Sequence, residues 1–142
     1  MEVKVSRGQK KSYSKLSNKL KKNVEKSVKD TAMELKSKVE ARTPVDTGLL
    51  KSSFFIDYKV SNGTYTATLA NKQKYLTYVI NGTGKYNPSG RSTPWVYRDS
   101  RGNFRFTEGM RPNDFITPTV MSYKDTLRNN VKTAIKNTFR GE

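Results

Sequence analysis

The sequence predicts an α+β fold, with a long N-terminal helix and a C-terminal helix packed on a small antiparallel β-sheet built from hairpins. Three observations predict it. Apolar residues recur at spacings of three and four from about Tyr13 to Arg42 and again from Thr119, the period of helices with one buried side. Between those stretches, aromatic and β-branched runs fold back around Asn62-Gly63 and around Asp99 to Asn103, which is hairpin chemistry. The length of 142 residues fits one domain able to bury a core, about two-thirds of the unfolded chain's surface.

Met1 to Ser12 is polar and basic without periodicity, so residues 1–12 read as a flexible basic arm and 13–142 as the single α+β domain. Leu16, Leu20, Val24, Val28, Ala32, Leu35 and Val39 then fall along one side of a helix. Lys15, Lys19, Lys22, Lys26 and Lys29, continued by Lys36, form a stripe nearly opposite. From Tyr13 to Arg42 such a helix is on the order of 40 Å long. The stripe is either a solvated face or a surface for a polyanion. Glu25 with Lys29 and Glu34 with Lys38 are expected ion pairs worth a few tenths of a kcal/mol each, leaving most of the positive charge outward and unpaired.

The helix ends at Thr43-Pro44-Val45-Asp46-Thr47-Gly48-Leu49-Leu50. Pro44 has no N–H to donate and its ring opposes a preceding helical turn. Asp46 is expected to accept from free N–H groups of a short turn over Thr47 to Leu50, with Gly48 relaxing the backbone. The corner is a structural turn or a ligand-binding or catalytic loop.

Ser53 to Val60 and Tyr65 to Leu69 read as strands joined at Asn62-Gly63, and Asn71 to Ile80 as a short helix or irregular turn. Asn81-Gly82-Thr83-Gly84 is a loop. It lacks the glycine order of a phosphate-binding motif. In the second hairpin Trp95, Tyr97, Phe104 and Phe106 are expected to share one face, either packing or, beside Arg91, Arg98, Arg101 and Arg105, stacking nucleic-acid bases. Gly109 to Pro118 is a connector whose Phe115 and Ile116 anchor into the core. The last helix, Thr119 to about Asn137, carries Val120, Tyr123, Leu127, Val131, Ala134 and Phe139 on or near one face.

Charge and absences bound the chemistry. Lys and Arg number 28 against 12 Asp and Glu, a formal charge of +16, which favours a polyanion or an acidic protein surface as neighbour. There is no Cys and no His, removing disulfides, thiolate nucleophiles, the usual zinc ligands and histidine bases. The acids are scattered without a catalytic motif, so no enzyme, cofactor or metal site is expected. No apolar run reaches a membrane span and no signal-peptide core follows the basic start. With 33% hydrophobic residues and a mean hydropathy of −0.83, the core must be thin or completed by a partner.

Taken together, Ala41 to Ser53, Tyr75 to Thr83, Pro94-Trp95-Val96-Tyr97, Gly109-Met110-Arg111-Pro112 and Phe115 to Pro118 resemble the tail-component or tail-completion family of tailed bacteriophages. That family's pattern is a helix, an A-x-x-P-x-D-T-G-x-L-x-x-S corner, a Y-x-x-Y-V-E-x-G-T segment and a P-x-F-x-x-P lead into a final helix. The chain follows it in order over about residues 30 to 130. It departs at Ile80, where the family often has Glu one residue before the position preceding Gly-Thr, and by one extra residue between Pro112 and Phe115.

The resemblance implies a structural virion protein of the phage neck, assembled in the host cytoplasm. Its subunits would form a ring, a hexamer, joining the capsid connector to the tail-terminator and tail-tube proteins. No catalysis, cofactor or membrane contact is expected, and non-specific contact with packaged DNA is compatible with the charge. Pro44, Asp46, Thr47, Gly48 and Leu49 of the corner, with Tyr75, Tyr78, Gly82 and Thr83, are the candidate subunit contacts. The alternative reading is a non-specific basic, nucleoid-like DNA-binding protein, whose affinity would depend steeply on salt.

Overall fold

The first apolar stripe closes into helix α1 (Arg7–Arg42) in the computed structural model, which describes residues 7–141. Every apolar position named for it, from Leu16 to Val39, is at least half-buried. The helix begins six residues before Tyr13 and so enters the stretch read as an arm; Met1 to Ser6 lie outside the described residues. Gln9, Lys10 and Lys11 are good helix formers, and adding residues to an existing helix costs far less than nucleating one.

After Arg42 the chain turns through the corner into one turn of helix, α2 (Leu49–Ser52). Strands β1 (Phe54–Ser61) and β2 (Thr64–Asn71) follow. They pair antiparallel with Ser61 opposite Thr64. The turn residues Asn62 and Gly63 have φ of 50° and 74°, the left-handed pair that matches the twist of a tight hairpin. Phe54, Ile56 and Tyr58 alternate inward with Ala67 and Leu69 and pack under α1, while Phe55, Asp57 and Lys59 face out.

Helix α3 (Leu76–Asn81) and a single 3₁₀ turn (Gly84–Tyr86) lead to β3 (Trp95–Arg98) and β4 (Phe104–Thr107). The two hairpins remain separate two-stranded sheets. Register overturns the expected shared aromatic face: Trp95 opposes Thr107 and Tyr97 opposes Arg105, whereas Val96 opposes Phe106 and Arg98 opposes Phe104. Opposed residues point to the same side, so Trp95 and Tyr97 lie on one face and Phe104 and Phe106 on the other.

The last helix, α4 (Ile116–Arg140), starts three residues earlier and ends three later than its apolar spacing suggested. Pro118 fits its first turn, where an N–H would have no intrahelical acceptor. The Asp114 carboxylate accepts from the N–H groups of Ile116 (3.2 Å) and Thr117 (2.9 Å), supplying the start signal.

Helices α1 and α4 pair antiparallel along a polar seam. Asn23 donates to the Thr138 hydroxyl (2.8 Å), Asn130 to the Thr31 hydroxyl (2.9 Å) and Arg42 to the Thr119 hydroxyl (2.7 Å). In all three pairs the residue numbers add to the same total, as one continuous antiparallel register requires. Thr138 is therefore the buried residue at the end of α4 and its neighbour Phe139, expected inward, is exposed. In that register residues 7–20 of α1 run past the end of α4, by about 20 Å at the rise of a helix.

The apolar core is small. Val39, Phe54 and Phe115 form its buried cluster, packed by Leu35, Leu69, Leu76, Val79 and Ile116, and Val28, Ala32 and Leu50 are buried besides. Phe54 and Phe115 meet edge to face at 6.4 Å, which seats the anchor expected at Phe115 and Ile116.

Candidate functional site: corner, clasp and basic helix

The corner is built by helix termination. Thr43 caps the end of α1 on itself, its hydroxyl donating to the Val39 carbonyl at 2.8 Å and its N–H to the Glu40 carbonyl at 3.2 Å. Gly48 then takes a left-handed φ of 82° ahead of α2. The expected Asp46 cap is not made. Leu49 N–H reaches the Thr47 hydroxyl oxygen at 3.4 Å, and the Asp46 carboxylate turns outward to accept from Ser100 (3.2 Å), in the turn of the second hairpin. Pro44 has left the helix by this point, so the chain carries Asp46 away from the N–H groups of α2.

Pro44, Asp46, Thr47, Gly48 and Leu49 line a cleft of about 390 Å³ with Leu50, Tyr75, Val79 and Met110. Folding thus brings the corner and Tyr75 together. Tyr78, on the same short helix, is exposed but does not line the cleft. Val79 and Met110 lie in segments that the sequence marks, but neither is singled out there as a contact. They arrive because α3 and the connector cross beside the corner.

Gly82 and Thr83 have a different setting. Thr83 N–H donates to the Met110 carbonyl (2.9 Å), Met110 N–H to the Thr83 hydroxyl (2.9 Å), Lys85 N–H to the Glu108 carbonyl (3.1 Å), and Asn113 N–H to the Val79 carbonyl (3.0 Å). The Lys85 ammonium also pairs with Glu108. The loop is a clasp on the connector, with Gly82 and Gly84 buried in it. A Cβ on Gly84 would overlap the Glu108 carbonyl, and one on Gly109 the Thr83 carbonyl. That mutual approach explains the glycines at both places. The N–H groups of Thr83, Lys85, Tyr86 and Asn87 all donate to carbonyls within the chain, which leaves them engaged internally.

The lysine stripe divides. Lys26 pairs with Asp30 (2.9 Å) and Lys29 with Glu25 (3.0 Å), while Lys36 takes Glu40 (2.7 Å). The hydrogen bond to its carboxylate raises the pKa of Lys26 and of Lys29 above the ordinary lysine value. Lys29 also stands 4.7 Å from the Tyr58 ring. The expected outward, unpaired stripe therefore narrows at its C-terminal end. Lys15, Lys19 and Lys22 have no carboxylate partner among the described residues. Lys15 and Lys19 sit on the part of α1 that passes beyond α4.

Among the described residues, no group of three or more His, Cys, Asp or Glu is placed to hold a metal, and no helix is long and apolar enough to cross a membrane. The sequence model of the family described as "Bacteriophage HK97-gp10, putative tail-component" matches residues 9–82, just over half of the chain. The chain belongs to that family of phage tail components. The matched segment contains α1 from its third residue, the corner, the first hairpin, α3 and Gly82 of the clasp. No curated protein and no solved structure matches. Membership makes the chain a phage tail component, and the cleft and basic overhang are features of that component.

Proposed function

We propose that this tail component is a tail-completion subunit that forms a ring in the phage neck, a hexamer joining the capsid connector to the tail terminator and tube, and that it performs no catalysis. The observation that carries the reading is an apolar surface too large for so small a core. Val45, Leu49, Tyr75, Tyr78 and Met110 are all exposed around the corner cleft, a cluster of the kind that marks protein contacts. Pro44, Asp46, Thr47 and Gly48 shape that surface. Gly82 and Thr83 act behind it, holding the connector in place.

Lys15, Lys19 and Lys22 support a secondary contact with packaged DNA, since a cationic helix extending from a folded body can follow phosphates without reading sequence. The chain acting alone as a nucleoid-like protein is the competing reading. Reconstruction of the neck in purified particles tests the two: density for this chain as a ring at the head–tail junction is the expected result. A chain missing from particles but bound to DNA with steep salt dependence would overturn the neck reading.

A further inference from the structure

The second hairpin lacks what a hairpin of its size needs in water. Strands β3 and β4 have four residues each and, among the described residues, no third strand, and two-stranded pieces that short are marginal unless a helix or another strand covers them. On one face Val96 is 61% exposed and Phe104 and Phe106 are each 70% exposed. The Arg98 guanidinium, 4.7 Å from the Phe104 ring, covers only part of that face. The hairpin turn is held at Asp46 through Ser100.

A matching hollow lies elsewhere on the chain. Two clefts of about 410 and 290 Å³ run between β2 and the first turns of α4, sharing Leu35, Ala67 and Val120 in their walls. Among the described residues strand β2 pairs only with β1, so there its other edge presents unpaired backbone donors and acceptors beside an apolar trough. An extended segment with apolar side chains would both add a strand there and fill the trough.

We infer that the β3–β4 hairpin of one copy lies in the β2/α4 groove of the next copy. The occupant is a second copy because the projecting face and the hollow are both apolar, both sparse in charge, and sit at different places on one chain. Charge agrees: at +16 overall two copies repel, and a contact between them is least costly where charge is sparse. Lys124 is the one charged residue lining the groove, and Arg98 the one on the exposed hairpin face. A contact between unlike surfaces is head-to-tail, and repeated with rotation it closes a ring. This rests on the ring reading and specifies its interface.

The chain has no cysteine, so Phe106→Cys and Met121→Cys place unique thiols on the hairpin face and beside the groove. In particles assembled with the double variant, a short bis-maleimide is expected to give a ladder of covalent oligomers. The single variants mixed in one particle should give only dimers of unlike chains. Dimers from Phe106→Cys alone would show like faces meeting and overturn the inference. A ring visible at the junction with no cross-link would also overturn it and leave the ring reading standing; absence of the chain from the junction removes both. Phe104→Ser/Phe106→Ser, with an unchanged far-ultraviolet spectrum and melt, is expected to enter particles at least tenfold less well, and normal incorporation overturns the proposal.

Discussion

The hydroxyl of Ser100 donates to the carboxylate of Asp46, spanning the fold from the turn of the second hairpin to the corner that ends the first helix, with oxygen separations of 3.2 and 3.5 Å. The two residues are 54 apart in sequence. The bond links the cleft to the hairpin, so both surfaces assigned to assembly share one positional restraint.

Asp46→Ala is therefore expected to affect assembly more than stability. An exposed hydrogen bond of this kind contributes about 1 kcal/mol or less, a shift of a few degrees in melting temperature at most. Joined particles should fall several-fold, because the hairpin loses its tether. Thermal melts and counts of joined particles by electron microscopy check the two halves. Equal joining by Asp46→Ala and unmodified protein would reduce the pair to a surface contact.

Glycine substitutions separate the clasp from the corner. Gly84 combines a φ of 61° with a backbone neighbour occupying the place of a Cβ, so Gly84→Ala should lose about 2–3 kcal/mol or more. Gly48 has a φ of 82° but nothing within 4 Å of that place, and Gly48→Ala should lose only about 1–2 kcal/mol from backbone strain. Urea midpoints at unchanged slope measure the difference. Equal losses would contradict the close approach of the two backbones in the clasp.

Acid should loosen the second hairpin and the start of α4 together. Asp99 accepts from Arg105 (3.0 Å), Asn103 N–H (2.9 Å) and Arg101 N–H (3.0 Å), and the Arg105 bond leads in holding its pKa below the ordinary 3.8. Asp114 is lowered likewise, first by the Thr117 side chain and then by Thr117 N–H. A value lower in the folded state than in the unfolded chain gives stability that is full above the unfolded value and lost as pH falls through the folded one. Melting temperature should hold between about pH 7 and 5 and drop below about pH 4. Asp99→Asn should flatten part of that drop, and an unchanged acid limb would count against the Asp99 contribution.

The stripe lysines of α1 unpaired among the described residues, two on the overhang and Lys22 beside its root, make a prediction about salt. If Lys15, Lys19 and Lys22 each neutralise a phosphate, the triple Lys→Gln variant should lower the slope of log affinity for duplex DNA against log salt by about 3. Titrations by fluorescence anisotropy read this directly. An unchanged slope assigns those lysines to solvent or to a protein neighbour.

Much of the fold was legible because its signals are local. The period of Leu16 to Val39, the Asn62-Gly63 turn and the anchor at Phe115 each depend on residues within a few positions of one another, and each appears as read. Helix starts were less so. Gly8 obscured the beginning of α1, and Pro118 hid the first turn of α4, where proline is tolerated.

The faces of the second hairpin and of α4 were misread for a different reason. Pairing register, not the list of aromatics, decides which of Trp95 and Phe106 points where, and the polar seam from Asn23 to Thr119 decides that Thr138, not Phe139, is buried. The sequence by itself determined the helices, the first hairpin, the corner and a positive charge too large for so few acids to balance. Only tertiary structure decided that Asp46 meets Ser100, that Tyr75 and Met110 close one cleft, and that Lys15 and Lys19 pass beyond their helical neighbour. Those are contacts between distant residues, and distance along the chain carries no signal until packing brings the segments together.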